Sequence, residues 1–230
     1  MENENKSSIF SKSFENIRIR NKESDAFLET ASHVIKRALH ETEGFEEFNK
    51  VVRYDIVTNP KIPGWLAVKF SDRLLGRVDV KGNHAREQGP SLVYSRGPNG
   101  QMIVMLFPIS SEIASANEDT LFLRIGFFDQ WELRQGVRQD VKDLIAYAYE
   151  TSIDLYPTFS QKFRIKWLRF ANEKNVDGKH QYSPRKVAIR KLLGMAFSGA
   201  FTGTFRFITP AALGWFVGRY GTDWLTNWFK

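Results

Sequence analysis

The feature that most restricts the fold is an apolar stretch near the end of the sequence. The 27 residues between Lys191 and Arg219 carry one charge, at Arg206. As one helix this stretch would be about 40 Å long at about 1.5 Å per residue, enough to cross a hydrocarbon core of about 30 Å. Arg206 would then lie near the bilayer centre at a cost of roughly 2.5–3.5 kcal/mol, and Pro210 removes a backbone donor nearby. A single straight span is therefore disfavoured.

Two helix-start signals instead predict a helical hairpin. Ser183-Pro184 and Thr209-Pro210 each place an N-cap hydroxyl before a proline at the first helical position. The predicted helices run from about Pro184 to Arg206 and from about Pro210 to Trp228. The apolar part of each is too short to span a bilayer, which favours a re-entrant or interfacial hairpin. Helices packed in a soluble core or an oligomer interface are the alternative.

The charges of the chain are unevenly distributed. Residues 1–160 have 20 basic and 23 acidic residues, whereas residues 161–191 have ten basic and two acidic residues, a net charge of +8. Residues 192–230 hold ten of the 32 aromatic residues and four charged ones. A basic segment followed by an apolar, aromatic one is the order expected of a chain that meets an anionic membrane from the cytoplasmic side. Nucleic acid is the competing partner for the basic segment.

The residues predicted to contact a membrane fall into two sets. The cations expected to meet lipid headgroups are Lys162, Lys166, Arg185, Lys186, Arg190 and Lys191. The aromatic side chains expected to insert are Phe197, Phe201, Trp215, Phe216, Trp224 and Trp228. Gly199 and Gly203 form a pair of small residues four apart, which favours close helix contact and a homo-oligomer. The expected location is the cytoplasmic face of the inner membrane, as a peripheral or tail-anchored protein.

Residues 24–171 are predicted to form a soluble α+β domain. The segment Phe27–Leu39 places its apolar residues on one face of an amphipathic helix, and helical spacing continues to about Arg53. Five short apolar runs between turn residues predict strands. They are Trp65–Phe70, Leu74–Val80, Ser91–Ser95, Met102–Phe107 and Thr120–Phe128. The turn residues 96–101 predict that the third and fourth strands form an antiparallel hairpin.

Two further elements are predicted near the end of this domain. Val137–Tyr149 has helical spacing, and Gly136 is the predicted boundary before it. Lys162–Phe170 alternates between aromatic or aliphatic residues and cations, which predicts a strand. The predicted strand places Phe163, Ile165 and Trp167 on one face and Lys162, Arg164 and Lys166 on the other. On that prediction the aromatic residues belong to the core, and the cations form a stripe.

The predicted fold class is therefore α+β, with N-terminal amphipathic helices, a largely antiparallel sheet, a flanking helix and a C-terminal apolar helical hairpin. Three segments lie outside the α+β domain. They are a mobile polar leader over residues 1–23, a basic linker over residues 172–191 and the membrane-associated hairpin over residues 192–230.

Several chemistries are excluded or disfavoured by residue types. The chain has no cysteine, which excludes disulfides, thiolate catalysis and cysteine-bound metals. Its four histidines form no i, i+4 pair, and no phosphate-binding glycine motif or serine-nucleophile motif is present. No cofactor or metal is expected on this basis.

One short segment suggests an alternative, catalytic function. Asp79 and Lys81 are two residues apart on a predicted strand, Asp72 lies on the turn before it, and Glu46 or Glu47 lies on the preceding helix. This pattern resembles the D-(x)n-(D/E)-x-K site of restriction-endonuclease-like nucleases. The resemblance covers ten residues and implies Mg²⁺ held by the two aspartates, with the lysine orienting or deprotonating a water molecule.

The function predicted from the sequence is noncatalytic. A cytoplasmic α+β domain would sense a protein or small-molecule partner, and the C-terminal tail would anchor to or perturb a membrane. This layout resembles, in general outline, bacterial toxin or phage-defence effectors. The Mg²⁺-dependent nuclease and a nucleic-acid-binding module are the alternatives.

Overall fold

The computed structural model of the protein describes residues 2–58, 64–78, 82, 84–111, 113, 116–189 and 191, with side chains from residue 14 onward. The chain divides into two units, Met1–Ser183 and Pro184–Lys230. In the second unit residues 184–189 and 191 are helical, and this helix starts at the proline where the first helix of the predicted hairpin begins. The rest of that hairpin lies outside the described residues.

The first unit is an α+β fold with a largely antiparallel sheet and flanking helices, as the sequence predicted. Within the described residues its helices are α1 (Glu2–His40), α2 (Phe45–Val51), α3 (Gln130–Thr151) and α4 (Phe159–Ala171). Its strands are β1 (Tyr54–Thr58), β2 (Trp65–Phe70), β3 (Arg73–Val78), β4 (His84–Gln88), β5 (Ser91–Arg96), β6 (Met102–Phe107), β7 (Ser110–Ser111), β8 (Thr120–Gly126), β9 (Lys174–Val176) and β10 (Lys179–Gln181).

Seven of these strands form one antiparallel sheet in the order β1-β2-β5-β6-β8-β9-β10, and β3, β4 and β7 form a smaller one. The predicted hairpin is confirmed, because β5 and β6 pair from Ser91 opposite Phe107 to Arg96 opposite Met102. In its turn Gly100 has a φ of 79°, a backbone conformation that favours glycine. A Cβ at Gly100 would lie 2.6 Å from the Cβ of Arg20, so this turn packs closely on α1.

Alternate residues of the central strands face the helices and form the core. Side chains that point to this face are buried, whereas their neighbours point to the opposite face of the sheet. The core residues of the strands include Leu66, Val68, Leu92, Tyr94, Val104 and Leu106. Those of the helices include Phe27, Ile35 and Leu39 of α1 and Val141, Leu144 and Ile145 of α3. The predicted amphipathic face of Phe27–Leu39 is therefore the face that packs on the sheet.

Helix α1 is longer than the sequence predicted. Residues 2–23, for which we expected a mobile leader, continue the helix that holds Phe27 and Ile35 in the core. Extending an existing helix costs little per residue compared with starting one, which allows a polar segment to be helical when it directly precedes a strongly amphipathic one. Arg96 of β5 also holds this segment, because it donates to the Asn21 carbonyl at 3.3 Å and pairs with Asp25 at 2.6 Å.

The segment over residues 172–191, predicted to be a linker, contains two strands. β9 extends the large sheet by pairing with β8, with Thr120 opposite Asn175 and Leu121 opposite Lys174. The turn from β9 to β10 is held by Asp119, whose carboxylate accepts from the Gly178 backbone N–H at 2.9 Å. Each strand has only three residues, too few to show an alternating apolar pattern.

The boundary predicted at Gly136 is wrong, because α3 begins at Gln130. Asp129 caps the helix by accepting from the Glu132 backbone N–H, and Glu132 returns a bond to the Asp129 N–H, which completes a capping box. Gly136 serves packing instead. A Cβ there would lie 2.2–2.4 Å from atoms of the Arg124 guanidinium, so the glycine leaves room for this side chain against the helix.

Arg124 uses that room to reach a buried carboxylate. Its guanidinium bonds to Asp140, which is 3% exposed, and Tyr94 donates to the same carboxylate at 3.0 Å. Burial raises the pKa of Asp140 to about 6, although Arg124 and the Tyr94 hydroxyl act to lower it. Asp143, one helical turn further along, also raises it.

We expect this aspartate to make the stability of the fold depend on pH. In the folded protein Asp140 keeps its proton up to about pH 6, whereas its ordinary pKa is 3.8, so stability from this group is present below pH 3.8 and is lost as pH rises through 6. The free energy of unfolding, relative to that of an Asp140→Asn variant, should fall by about 3 kcal/mol over this range. Urea denaturation of both proteins at pH 3.5 and pH 7 measures it. A difference that does not change with pH would contradict the expectation.

Candidate functional site

Residues Lys162–Phe170 lie on a helix, so the predicted strand is wrong. Helix α4 starts with a capping box in which Thr158 accepts from the Gln161 backbone N–H and Gln161 accepts from the Thr158 N–H. Its buried positions are Ile165 and Leu168, three residues apart, as expected for one face of a helix. The alternation of apolar residues and cations fits a strand only over residues 162–167. When the rest of the helix on either side is included, the spacing of the apolar residues no longer fits a strand.

The helical geometry moves the aromatic side chains from the predicted core to the exterior. Positions four, eight and eleven residues after Phe159 share one side of the helix with it, and the cations at 162 and 166 border the same side. The exposed fractions are 71% for Phe159, 40% for Phe163, 42% for Trp167 and 38% for Phe170. Lys162 and Lys166 are also exposed. We call these six residues the α4 surface.

The opposite side of α4 is fixed to α3 by an ion pair between the partly exposed Arg164 and a buried carboxylate. Arg164 donates to both oxygens of Asp143, from Nε at 2.7 Å and from a terminal nitrogen at 2.8 Å. Asp143 is 3% exposed and also accepts from Gln139 at 2.9 Å. The hydrogen bond with Asp143 raises the pKa of Arg164, with burial acting in the other direction. This two-pronged geometry sets the rotation of α4 about its axis.

A second network fixes the end of the helix. Arg169 donates to Glu118 at 2.7 Å and to Glu150 at 2.6 Å, and Tyr147 donates to the same Glu118 oxygen at 2.9 Å. Burial acts to lower the pKa of Arg169, but Glu150 and Glu118 together raise it above its usual value. Burial, reinforced by Glu118, also raises the pKa of Tyr147. Both groups therefore stay protonated at neutral pH.

The cations of α4 thus divide by position. Arg164 and Arg169 turn inward to carboxylates of the same unit, whereas Lys162 and Lys166 lie on the exposed side with the aromatic residues. Lysine carries a mobile point charge on a flexible apolar stem, and arginine favours fixed, two-pronged pairing. The helix is therefore anchored by its arginines, and it presents lysines and aromatic rings to its surroundings.

The other predicted membrane-contact residues are only partly described. Arg185, Lys186 and Lys191 are exposed on the helical residues of the second unit. Arg190, the six predicted inserting aromatics and the glycine pair Gly199 and Gly203 lie outside the described residues. Among the residues that are described, no helix combines the length and hydropathy needed to cross a bilayer.

The structure does not assemble the alternative nuclease site among the residues it describes. Asp72 is exposed on the turn between β2 and β3, and Glu46 and Glu47 are exposed on α2. Asp79 and Lys81 lie outside the described residues. No group of three or more histidine or acidic side chains suited to a metal ion occurs within the described part of the chain.

The sequence does not predict the four aromatic residues of the α4 surface. It predicts headgroup contact for Lys162 and Lys166, but it places Phe163 and Trp167 in the core and gives no role to Phe159 and Phe170. The signal that identifies them is the spacing Phe159, Phe163, Trp167, Phe170, read after the helix start at Thr158-Phe159.

Comparison with known proteins finds no matching family model, no matching curated protein and no matching solved structure. The function is therefore inferred from the chemistry of the α4 surface and of the sequence that follows it.

Proposed function

We propose that the protein is a noncatalytic, membrane-associated protein that binds the anionic cytoplasmic face of a bilayer through the α4 surface and the C-terminal tail, residues 192–230. The observation that supports this most is the joint exposure of four aromatic rings and two lysines on one side of a helix that is anchored from its other side. The α+β domain senses a partner, in the manner of a small bacterial toxin or phage-defence effector.

The chemistry of the α4 surface suits a lipid interface. Trp, with its apolar ring and polar N–H, is favoured at the boundary between headgroups and acyl chains, and Phe buries its apolar ring there. A helix that lies in this boundary carries aromatic residues on one side and lysines beside them. Each lysine near an anionic leaflet contributes about 1 kcal/mol of attraction. Lys162 and Lys166 therefore supply attraction at a distance, and Phe163 and Trp167 supply contact.

The tail supplies the stronger attachment in this proposal. Phe197, Phe201, Trp215, Phe216, Trp224 and Trp228 insert, and Arg185, Lys186, Arg190 and Lys191 meet headgroups. Arg206 lies at the hairpin turn, where water and headgroups solvate it. Gly199 and Gly203 allow close contact between copies.

Sedimentation with vesicles tests the proposal. The full chain and a truncation ending at Ser183 are mixed with phosphatidylglycerol-containing vesicles at low and high salt. We expect the full chain to pellet at both salt concentrations, because inserted apolar surface is insensitive to salt. The truncation should pellet at low salt only, because it retains the α4 surface without the tail.

Two controls show whether binding depends on anionic lipid and on the C-terminal tail. Neutral phosphatidylcholine vesicles should bind the truncation weakly at any salt concentration. The full chain with Phe201→Glu and Trp215→Glu should behave like the truncation. If neither the full chain nor the truncation binds anionic vesicles at low salt, the proposed function is wrong.

A further inference from the structure

The face of the large sheet opposite the helices carries a groove. Its floor consists of alternate residues of three neighbouring strands, whose partners on the other face belong to the core. The floor residues are Trp65, Ala67 and Lys69 of β2, Ser91 and Val93 of β5, and Met105 and Phe107 of β6. Ala67 lies opposite Val93, and Val93 lies opposite Met105, so these three form a row across the sheet. The groove has a volume of about 520 Å³.

The floor of the groove is apolar from Trp65 to its polar end at Lys69 and Ser91. Trp65, Ala67 and Lys69 point to the same face, and the first and last are about 13 Å apart at about 3.3 Å per residue. That distance equals an extended chain of about ten carbon atoms, at a rise of about 1.25 Å for each tetrahedral C–C bond of about 1.5 Å. Volumes of about 300–1,000 Å³ are usual for small-molecule sites.

The polar groups of the groove gather at the Lys69 end. Ser91 lies opposite Lys69 in the register of β2 and β5, and Gln88 and Ser110 line the same region. Ser110 donates to the side-chain oxygen of Gln88 at 3.3 Å, which leaves the amide nitrogen of Gln88 as a donor. This end of the groove therefore offers one cation and two neutral hydrogen-bond donors.

Two acidic residues also line the groove. Glu118 accepts from Arg169 and Tyr147 through one oxygen, and its other oxygen is buried without a hydrogen-bond partner, whereas the exposed Asp119 accepts from the Gly178 backbone N–H. Lys69 is exposed and is the cation among the described residues that line the groove, and the exposed Asp55 of β1 lies opposite it in the register of β1 and β2. Lys69 is therefore the group of the groove that can pair with an anionic head.

We infer that the groove binds a single-chain amphiphile with an anionic head, whose hydrocarbon chain lies over Trp65, Val93 and Met105 and whose head meets Lys69. The inference identifies the ligand class of the α+β domain. It rests on the proposed function only in treating that domain as a sensor. Apolar contact supplies most of the affinity, and Lys69 selects the anionic head.

Dodecanoate and dodecanol, which differ only in the head, test the inference on the full chain below their aggregation concentrations. Calorimetric titration should show binding of dodecanoate to the wild type. Lys69→Gln should weaken dodecanoate binding about fivefold, the scale of one partly exposed ion pair, and change dodecanol binding less than twofold. Val93→Phe, which fills the groove, should weaken both ligands at least tenfold.

Matched controls exclude binding elsewhere. Lys50→Gln removes an exposed lysine of α2 and should leave both affinities unchanged, as should Trp131→Glu on α3, which lies outside the groove and the α4 surface. The inference is overturned if the wild type does not bind dodecanoate, or if Lys69→Gln leaves its affinity unchanged. It is also overturned if a folded Val93→Phe variant binds as the wild type does. Because no vesicles are present, these outcomes are independent of whether the protein binds membranes.

Discussion

Replacing Phe163 and Trp167 together by glutamate is expected to lower the affinity of residues 1–183 for anionic vesicles by at least about a hundredfold. Each ring exposes about two-fifths of its surface, so the pair offers roughly 150 Å² to a lipid interface. At about 25 cal/mol per Å² this area contributes about 3–4 kcal/mol, and a tenfold change in affinity corresponds to about 1.4 kcal/mol. The two added carboxylates also repel an anionic leaflet. Sedimentation at low salt measures the change.

A matched variant separates the effect of direct bilayer contact on vesicle binding from the effect of net charge. Phe14→Glu with Trp131→Glu removes two exposed aromatic rings from α1 and α3 and adds the same two negative charges away from α4. This control should weaken vesicle binding by less than about tenfold, because only the long-range attraction is reduced. Equal loss in the two variants would mean that the α4 surface makes no specific contact with the bilayer.

Replacing Arg169 by methionine is expected to lower the free energy of unfolding by about 3–5 kcal/mol. Glu118 is 2% exposed, and Arg169 is its charged partner, so the variant leaves a carboxylate buried with only the Tyr147 hydroxyl as donor. The second carboxylate, Glu150, loses its partner at the same time. Urea denaturation of the wild type and the variant, followed by circular dichroism, measures the difference.

Two further variants identify the cause of that loss. Arg138→Met removes an exposed arginine that lies 3.8 Å from Glu41, and it should cost less than about 1 kcal/mol. Adding Glu118→Gln to Arg169→Met should restore part of the lost stability, because the buried charge is removed together with its partner. If Arg169→Met alone costs less than about 1 kcal/mol, the network around Glu118 does not anchor α4.

The elements that the sequence predicted best are those whose pattern is repeated over many residues. Phe27–Leu39 keeps a helical spacing for several turns, and the strands now labelled β2, β5 and β6 are apolar runs between turn residues. Such patterns depend only on which side chains are buried, so they can be recognised in the sequence without knowing the tertiary contacts. The antiparallel hairpin followed in the same way from the turn residues between β5 and β6.

The elements that the sequence missed depend on distant partners. β1, β4, β9 and β10 have three to five residues each, and they are strands because a neighbouring strand pairs with them. The sequence predicts a helix boundary at Gly136 because the contact that requires glycine there cannot be recognised locally. That contact is the Arg124 side chain, which comes from β8. For these strands and for Gly136 the deciding contact is not local. α4, by contrast, has a local start signal at Thr158, and the alternation of cations and apolar residues at its centre obscures it.

For the candidate site, the sequence predicted the lysines but not their setting. Local excess charge is visible along the chain, and it correctly marked Lys162 and Lys166 as exposed. Whether an aromatic residue beside them faces the core or the exterior depends on whether the segment is a strand or a helix. That error reversed the orientation of Phe163 and Trp167, which become the centre of the α4 surface.

The pairing of β9 with β8 also has a consequence for the order in which the protein is made. Until residues 174–176 leave the ribosome, the outer edge of β8 has no partner, and open strand edges promote association with other chains. β9 and β10 can pair with the sheet once Gln181 has left the ribosome. The apolar residues from Leu192 onward leave the ribosome only after Gln181, so they emerge when β9 can already cover the edge of β8.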